Sequence, residues 1–216
     1  MRKIVIAVPC MDQVPAQFAS SLATLTKVEA CIIAFEVGSL IYTSREHLAA
    51  EAIRREADYI MWFDSDMVFA PDTLQRLMAD IEKLGEGAIV SGLYFRRMVP
   101  FSPVLHDQLD IDEEGNATWK DTDEIPDEIF EVAGCGFGCV LAPTNAFMDV
   151  MGKFGCMFTP INGTGEDLSF CWRARQCGWK IYCDPSISLG HVAHHMITRD
   201  YWQDYKEFSA QAAEQK

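Results

Sequence analysis

Short apolar runs recur along the first half of the chain. Tyr59–Phe63 is apolar at every position and residues 3–8 at almost every position, which is typical of strands covered on both faces. Residues 30–35 form a second apolar run, and residues 88–94 are predicted to form a fourth strand. We therefore predict four strands in this half of the chain, of which the first and the third are buried.

Segments with helical spacing separate these runs. The second segment contains Thr43 and Glu46, a Thr-x-x-Glu pattern that predicts a capping box at a helix start. The third follows Pro71, in a favoured first-turn position, and stops at Gly85. Alternating strands and helices predict a parallel sheet with right-handed crossovers. The three predicted helices cover residues 15–27, 43–57 and 71–84.

The second half of the chain breaks this alternation. Residues 95–131 are polar and acidic, and the sequence Asp112-Glu113-Glu114-Gly115-Asn116 within them predicts a hairpin or an irregular insertion. A Gly-rich strand pair is predicted over residues 131–141. The elements expected after it are a helix over 144–151, a helix over 166–177 that Gly178 stops, a short strand over 180–183, and an amphipathic helix in the tail over 199–216.

Composition narrows the class of protein. A chain of 216 residues with 49% hydrophobic residues is predicted to form one domain with a sizeable core. The net charge of −14 argues against nucleic acid as a partner, because phosphate binding needs clustered Lys and Arg, and it also disfavours an anionic membrane surface. An anionic substrate would need a bound cation to enter an acidic cleft, so a metal site is worth seeking.

The eight cysteines do not indicate a disulfide framework or a structural zinc site. A chain this well supplied with core residues does not need disulfides, and no pair has the CxxC spacing. We expect reduced thiols, most of them buried as small hydrophobes. The apolar run at residues 4–8 is too short for a signal peptide and no stretch approaches a membrane span, so a cytoplasmic location is expected.

Two carboxylates directly follow a fully apolar predicted strand. Asp64 and Asp66 come after Tyr59–Phe63, and open parallel sheets bind ligands at the carboxyl ends of their strands. Two acids one residue apart can face one hard cation, which would chelate a diphosphate. The alternative is that both are ordinary turn aspartates. Their placement favours the metal site, because delivering two acids to one buried position is costly without a partner charge.

Two further groups carry candidate chemistry. Glu166 and Asp167 begin a predicted helix, where acids are also favoured simply by the helix dipole. His191 precedes His194 and His195, and three histidines in five residues raise the chance that one ligates a metal. Imidazole together with carboxylate suits manganese among divalent ions.

The order of these features resembles a known family. WFDSDM, SGLYFRR, EVAGCGFGCVLAP and GEDLSFCWRARQCGWKIYCDPSISLGH together are similar to glycosyltransferase family 2-like proteins with a GT-A fold, over residues 3–191. The resemblance implies a three-layer α/β sandwich with a central, mostly parallel sheet, helices on both faces and a small acceptor-side insertion. It divides one domain into a nucleotide-binding half (1–94), an acceptor and catalytic half (95–196) and a C-terminal helix (197–216).

The resemblance also implies roles for particular residues. In such enzymes the D-x-D element binds the divalent ion, here Mn²⁺ or Mg²⁺, and a histidine after the last strand completes the site. Asp167 would be the catalytic base, with Glu166 assisting it or binding the acceptor. The implied metal ligands are Asp64, Asp66 and His191, and the implied nucleotide-contacting residues are Val8, Pro9, Cys10, Arg45, Asp64 and Ser65.

The sequence departs from the family pattern near Arg45. Related proteins often carry Ala-Arg-Asn where this chain has Ser44-Arg45-Glu46, so the Asn contact is missing. There is no Q-x-x-R-W element, and therefore a processive membrane synthase is not expected.

The resemblance predicts transfer of a sugar from a nucleotide-diphosphate sugar to an acceptor hydroxyl. Glu166 and Asp167 begin a different element from the metal-binding acids and could approach the other face of the sugar, so we expect inversion by analogy with glycoside hydrolysis. The acceptor could be a glycan, a lipid-linked sugar, a protein or a small molecule, and the chain could form a homo-oligomer. Two alternatives stay open. A sugar-phosphate nucleotidyltransferase shares the architecture but carries a Gly-rich, Arg-containing loop where this chain has VPCMDQVP. A noncatalytic sugar-binding domain would have little reason to keep both the acids and the histidine.

Overall fold

The computed structural model describes residues 2–27, 30–38, 40–85, 87–98 and 101–193. Within these ranges the chain forms twelve strands and five helices. The strands are β1 Lys3–Cys10, β2 Ala30–Val37, β3 Tyr59–Phe63, β4 Met67–Val68, β5 Ala88–Leu93, β6 Leu105–Ile111, β7 Ala117–Asp121, β8 Phe130–Val132, β9 Gly134–Cys135, β10 Cys139–Pro143, β11 Lys180–Ser188 and β12 Gly190–His191. The helices are α1 Ala16–Thr24, α2 Ile41–Arg54, α3 Thr73–Leu84, α4 Thr144–Phe154 and α5 Glu166–Gln176.

Seven strands form the central sheet, in the order β2-β1-β3-β10-β5-β11-β8. β1 runs parallel to β2 and β3, and β11 runs parallel to β5. β10 is inserted antiparallel between β3 and β5, and β8 is antiparallel at the edge. Five strands therefore share one direction, and the predicted mostly parallel sheet is confirmed.

Helices cover both faces of this sheet. Side chains of α2, α4 and α5 pack on one face with Trp62, while side chains of α1 and α3 pack on the other with Phe63. Because successive side chains of a strand point to opposite faces, β3 must be apolar at every position to serve both cores. This explains the continuous apolar runs of β1 and β3 and confirms the three-layer arrangement. The apolar run of β2 lies instead at the edge of the sheet, where Ile33, Phe35 and Val37 are exposed.

The capping box predicted at Thr43 and Glu46 is wrong. α2 begins at Ile41, and its N-cap residue Leu40 makes no side-chain capping bond. Thr43 is therefore already inside the helix, where its hydroxyl is not at the N-cap position. The Glu46 carboxylate instead accepts hydrogen bonds from the amides of Met157 and Phe158, both at 2.7 Å.

The last strand of the sheet is longer than predicted. Residues 180–183 were expected, but β11 continues to Ser188, and its register with β5 shifts between Asp184 and Ser188. Pro185 interrupts the apolar pattern at this point and has no backbone N–H to donate. β8 pairs only with residues 181–183. Pro185 lies beyond this pairing, so its missing N–H removes no hydrogen bond to β8.

The predicted insertion is a hairpin. β6 and β7 pair antiparallel, and the turn between them is held by the Asp112 carboxylate, which accepts bonds from the amides of Glu114 and Asn116. β6 also pairs with β9, giving a separate three-stranded sheet. The strand pair predicted over residues 131–141 is wrong in detail, because β8, β9 and β10 pair with other strands and not with one another.

The remaining expectations concern the cysteines, membrane-spanning helices, the tail and the division of the domain into two halves. Cys135, Cys139, Cys171 and Cys183 are buried free thiols, whereas the other four cysteines are only partly buried, so the expectation that most are buried is not met. No helix of the described ranges is long and apolar enough to cross a membrane. The tail helix, His194 and His195 lie outside the described residues. The division into a nucleotide-binding and a catalytic half stays a prediction.

Candidate functional site

Loops from several strands meet at one edge of the central sheet. The carboxyl ends of β1, β3 and β5 lie there because these strands are parallel, and the antiparallel β10 begins there. Asp64 follows β3 directly, and its amide donates to the Gly138 carbonyl at 3.2 Å, just before β10. Tyr94 follows β5 at the same edge. This is the edge where open α/β sheets bind ligands.

Arg45 links the two pairs of acidic residues at this edge. It comes from α2, is only 2% exposed, and donates from Nη2 to Asp64 Oδ1 at 2.8 Å and from Nε to Glu166 Oε1 at 3.1 Å. Its guanidinium lies over the rings of Trp62 and Phe137, at 5.6 and 5.3 Å from their centroids. Burial alone would lower the Arg45 pKa, but the charges of Asp64 and Glu166 raise it above the ordinary value.

The second aspartate of the D-x-D element lies beside an arginine and a histidine. Asp66 Oδ2 accepts from Arg97 Nη1 at 2.6 Å and lies 3.4 Å from His191 Nε2. Burial by itself would raise the pKa of Asp66, but the hydrogen bond and charge of His191 and the charge of Arg97 outweigh it and lower the pKa. Asp66 is therefore held as a carboxylate.

Backbone pairing places His191 beside Asp66. β12 pairs antiparallel with β4, and the amide of Val192 donates to the Asp66 carbonyl at 2.8 Å. His191 Nδ1 donates to the Phe95 carbonyl at 2.9 Å, which turns Nε2 toward Asp66. The hydrogen bond to Asp66 raises the pKa of His191, against the opposing effect of burial. A histidine fixed through Nδ1 in this way presents Nε2 as a metal ligand when neutral.

Asp167 is a partly buried carboxyl group at the start of α5. Burial, and to a lesser extent the charge of Glu166, raises its pKa to about 6, while Arg45 opposes the shift. Its Oδ1 accepts from the amide of Leu168 at 2.8 Å. Asp64 also contributes to the raised pKa, so the two acidic groups lie close enough to interact.

Tyr94 lies behind the acids in a cradle made by glycines. The amide of Gly138 donates to Tyr94 Oη at 3.1 Å, and a Cβ on Gly138 would lie 2.8 Å from Cζ of that ring. A Cβ on Gly136 would lie 2.0 Å from Oη and 2.7 Å from Val104 Cγ1. The Gly-rich segment before β10 therefore lets the backbone approach this buried ring.

We expect Gly136→Ala to lower the free energy of unfolding by about 1–3 kcal/mol, because the new methyl group overpacks against Tyr94. Gly152→Ala is the control. No atom lies within 4 Å of its Cβ position inside α4, so alanine there should raise stability by about 0.4–1 kcal/mol. Urea denaturation measures both changes. Equal stability of Gly136→Ala and wild type would contradict the tight approach to Tyr94.

A cavity of about 350 Å³ opens beside Asp64 and Arg97 at the carboxyl edge of the sheet. Its lining includes Asp64, Tyr94, Arg97 and His191, and its volume falls at the lower end of small-molecule sites. A larger depression of about 580 Å³ lies at the opposite edge of the sheet, beside Asp58. Neither acid of the D-x-D element and neither acid at the start of α5 lines it. The cavity at the carboxyl edge is therefore the candidate active site.

The residues present fit a divalent ion in donor chemistry. Asp66 Oδ2 and His191 Nε2 already converge, and carboxylate with imidazole suits Mn²⁺. Within the described ranges, no three His, Cys, Asp or Glu side chains stand together as a complete ligand set. Arg45 holds Asp64, and Arg97 holds Asp66, so arginines neutralise both carboxylates of the D-x-D element.

Three of the other residues predicted to contact a nucleotide lie one strand away, and Ser65 lies between the two aspartates. Val8 and Pro9 are buried near the end of β1, whereas Cys10 is partly exposed and its carbonyl accepts from the amide of Gly38 at 3.0 Å. Ser65 lies in the turn between β3 and β4, partly exposed. Nucleotide contact by these residues and by Arg45 stays a prediction.

The sequence pattern indicated no role for Arg97 or Tyr94, although both lie in the SGLYFRR segment that contributes to the family resemblance. The signal that could have found Arg97 is two successive arginines after a buried strand in a chain of net charge −14. Such a pair at the carboxyl edge predicts either an acidic partner or a phosphate. Tyr94 had no comparable signal, because its role depends on glycines more than 40 residues away.

Comparison with known proteins agrees with this architecture. The structure of A197 from STIV is similar, with a TM-score of 0.64, 18% identity and coverage of 90% of this chain and 87% of that chain. A structure of GalNAc-T7 with UDP, GalNAc and Mn²⁺ has a TM-score of 0.61 at 12% identity, covering 90% of this chain and 44% of that chain. These likenesses show a GT-A-like fold. No curated protein sequence matches the chain.

The family assignment comes from the sequence itself. A model of glycosyl transferase family 2 matches residues 18–142, more than half of the chain. The match includes Asp64 and Asp66 and ends before Glu166, Asp167 and His191. Because it spans this much of the sequence, the chain belongs to glycosyl transferase family 2.

Proposed function

We propose that this glycosyltransferase moves a sugar from a nucleoside-diphosphate sugar to an acceptor hydroxyl with the help of Mn²⁺ or Mg²⁺, and that it inverts the anomeric centre. The observation that carries the proposal is the position of Arg45. It holds Asp64 and Glu166 within hydrogen-bond distance at the carboxyl edge of the sheet, so the two acidic pairs share one cleft. The GalNAc-T7 structure contains UDP and Mn²⁺, which is consistent with this donor class.

Asp66, His191 and Asp64 are the residues we assign to the divalent ion. When bound, the ion supplies positive charge against the diphosphate leaving group. Asp66 would hold the ion as a carboxylate, since its pKa is already lowered. The Phe95 carbonyl keeps the proton of His191 on Nδ1 and leaves Nε2 for the ion.

Asp167 is the residue we assign as general base. An acceptor hydroxyl is a poor nucleophile until its proton is removed, and a carboxylate of raised pKa accepts that proton better than an ordinary one near neutral pH. Asp167 begins α5, whereas the metal-binding acids follow β3, so the base approaches the cleft from a different element. A base on the side opposite the leaving group is what inversion requires, by analogy with glycoside hydrolysis.

The pH profile of turnover should report this carboxyl group. Asp167 can act as a base only when ionised, so kcat/KM should rise with pH through about 6 and level off above it. The charge of Glu166 contributes to the raised pKa, and Glu166→Gln should therefore move the midpoint to lower pH. Steady-state rates between pH 5 and 8 measure both curves. A wild-type profile that is flat across this range would contradict the assignment.

Thermal-shift screening of nucleotide sugars tests the donor class. A ligand that binds only the native state raises its stability by mass action, so the true donor should raise the melting temperature in Mn²⁺ and not in chelator. Uridine-, guanosine-, adenosine-, cytidine- and thymidine-diphospho sugars form the panel, with the free sugars as controls. Stabilisation by free sugars alone, with no response to any nucleotide sugar, would instead indicate a noncatalytic sugar-binding domain.

A further inference from the structure

We propose that Arg97 is an exchangeable counter-ion, which neutralises Asp66 in the metal-free protein and binds the donor diphosphate once a divalent ion takes Asp66. This inference rests on the proposed function, since it concerns the same cleft. It assigns a binding role to a residue that the family pattern and the sequence left without one.

Arg97 and the ion compete for one oxygen atom. Asp66 Oδ2 accepts from Arg97 Nη1 at 2.6 Å and lies 3.4 Å from His191 Nε2, so the guanidinium already holds the oxygen that would ligate the ion together with His191. A divalent ion bound to Asp66 and His191 would occupy the space between these groups. Like charges at such distances repel, and Arg97 must therefore leave Asp66 when the ion binds.

The two arginines of the site differ in their freedom to move. The Arg45 side chain is 3% exposed and held between two carboxylates, whereas the Arg97 side chain is 53% exposed and pairs with Asp66 alone among the described contacts. A partly exposed ion pair contributes little to stability, so releasing Arg97 costs little free energy. Arg45 is therefore a fixed part of the site and Arg97 the exchangeable one.

The backbone just before Arg97 is anchored. The Phe95 carbonyl accepts from His191, and the Arg96 amide donates to the Ser102 carbonyl at 2.9 Å. The Arg96 guanidinium also donates to both carboxylate oxygens of Asp121 at 3.3 Å. Only the side chain of Arg97 needs to turn, while its Cα stays beside the metal-binding residues.

The diphosphate is the charge that Arg97 meets after release. An ion held by Asp66 and His191 would bring phosphate oxygens to the position from which Arg97 has just been displaced. A guanidinium binds phosphate through two parallel N–H donors, which is stronger and more directional than a point charge. In a protein of net charge −14, such a cation beside the metal offsets repulsion of the anionic donor.

The test is Arg97→Gln, with two binding measurements that should move in opposite directions. Titration with MnCl₂ alone should show affinity about two- to fivefold higher than wild type, because a competing ion pair is gone. Titration with uridine and guanosine diphosphate in saturating Mn²⁺ should show affinity about tenfold lower for whichever nucleotide wild type binds, because a charged hydrogen bond is lost. Arg76→Gln is the matched control. Arg76 lies on α3 and donates to Ser186, on the face of the sheet that α3 covers, so its replacement should change neither affinity.

The outcomes separate this inference from the proposed function. If wild type binds Mn²⁺ and a nucleoside diphosphate while Arg97→Gln binds both equally well, the inference is overturned and the proposed function stands. A variant that binds Mn²⁺ more weakly also overturns it, because Arg97 would then support the ion. If neither protein binds Mn²⁺ at all, both proposals fail together.

Discussion

Asp66→Asn is expected to weaken metal-dependent binding of the nucleoside diphosphate by at least about 100-fold, since even partners outside the ligand shell of a metal site commonly contribute 10- to 100-fold to metal affinity. The amide removes the negative charge that the ion needs but keeps the size of the side chain. The backbone bond from Val192 to the carbonyl of residue 66 does not depend on the side chain, so the fold should persist.

Calorimetric titration of wild type and Asp66→Asn in Mn²⁺ and in chelator measures this effect. Asp72→Asn is the matched control, because Asp72 is exposed before α3 and makes no side-chain capping bond there. It should bind the diphosphate as wild type does. Equal wild-type affinity in Mn²⁺ and in chelator would show that the D-x-D element does not act through a metal.

Asp167→Asn should lower kcat by roughly two to four orders of magnitude, the usual contribution of a positioned base. Donor affinity should stay near wild type, because the metal-binding acids and Arg45 are unchanged. Glu166→Gln should lower kcat less, since Glu166 accepts from Arg45 and supports the cleft without taking the proton. Single-turnover transfer and donor titration on the two variants separate catalysis from binding.

Three results would change these roles. If Asp167→Asn turned over at nearly the wild-type rate while Glu166→Gln was inactive, Glu166 would be the general base and Asp167 the supporting residue. Full activity of both variants would leave these acids as the start of a helix stabilised by its dipole. A large loss of donor affinity in Asp167→Asn would assign Asp167 to binding.

The layers of the fold could be predicted because a strand that is buried on both faces is apolar at successive positions. Tyr59–Phe63 supplies side chains to both cores, and its carboxyl end fixes where Asp64 and Asp66 lie. The parallel direction of neighbouring strands then predicts which loops meet at one edge. Glu166, at the start of α5, accepts from Arg45 at this edge, whereas the roles that the family resemblance implies for Glu166 and Asp167 stay predictions.

Contacts between residues far apart in the sequence could not be predicted in this way. Glu46 has the spacing of a capping residue, but its carboxylate serves amides at Met157 and Phe158, more than 100 residues away. Arg97 reaches Asp66 only because β5 and β3 end at the same edge with β10 between them. Local periodicity carries no information about such pairs, and so the charge balance of the site appears only in three dimensions.

Release of a nucleoside diphosphate from a nucleotide sugar tests the central claim most directly. The donor selected by thermal shift is incubated with enzyme and candidate acceptor hydroxyls, and the diphosphate and glycosylated product are quantified by chromatography and mass spectrometry. We expect equal amounts of both products in Mn²⁺ or Mg²⁺, neither in chelator, and neither with Asp66→Asn. Equal product formation in chelator and in metal would contradict metal-dependent sugar transfer by this site.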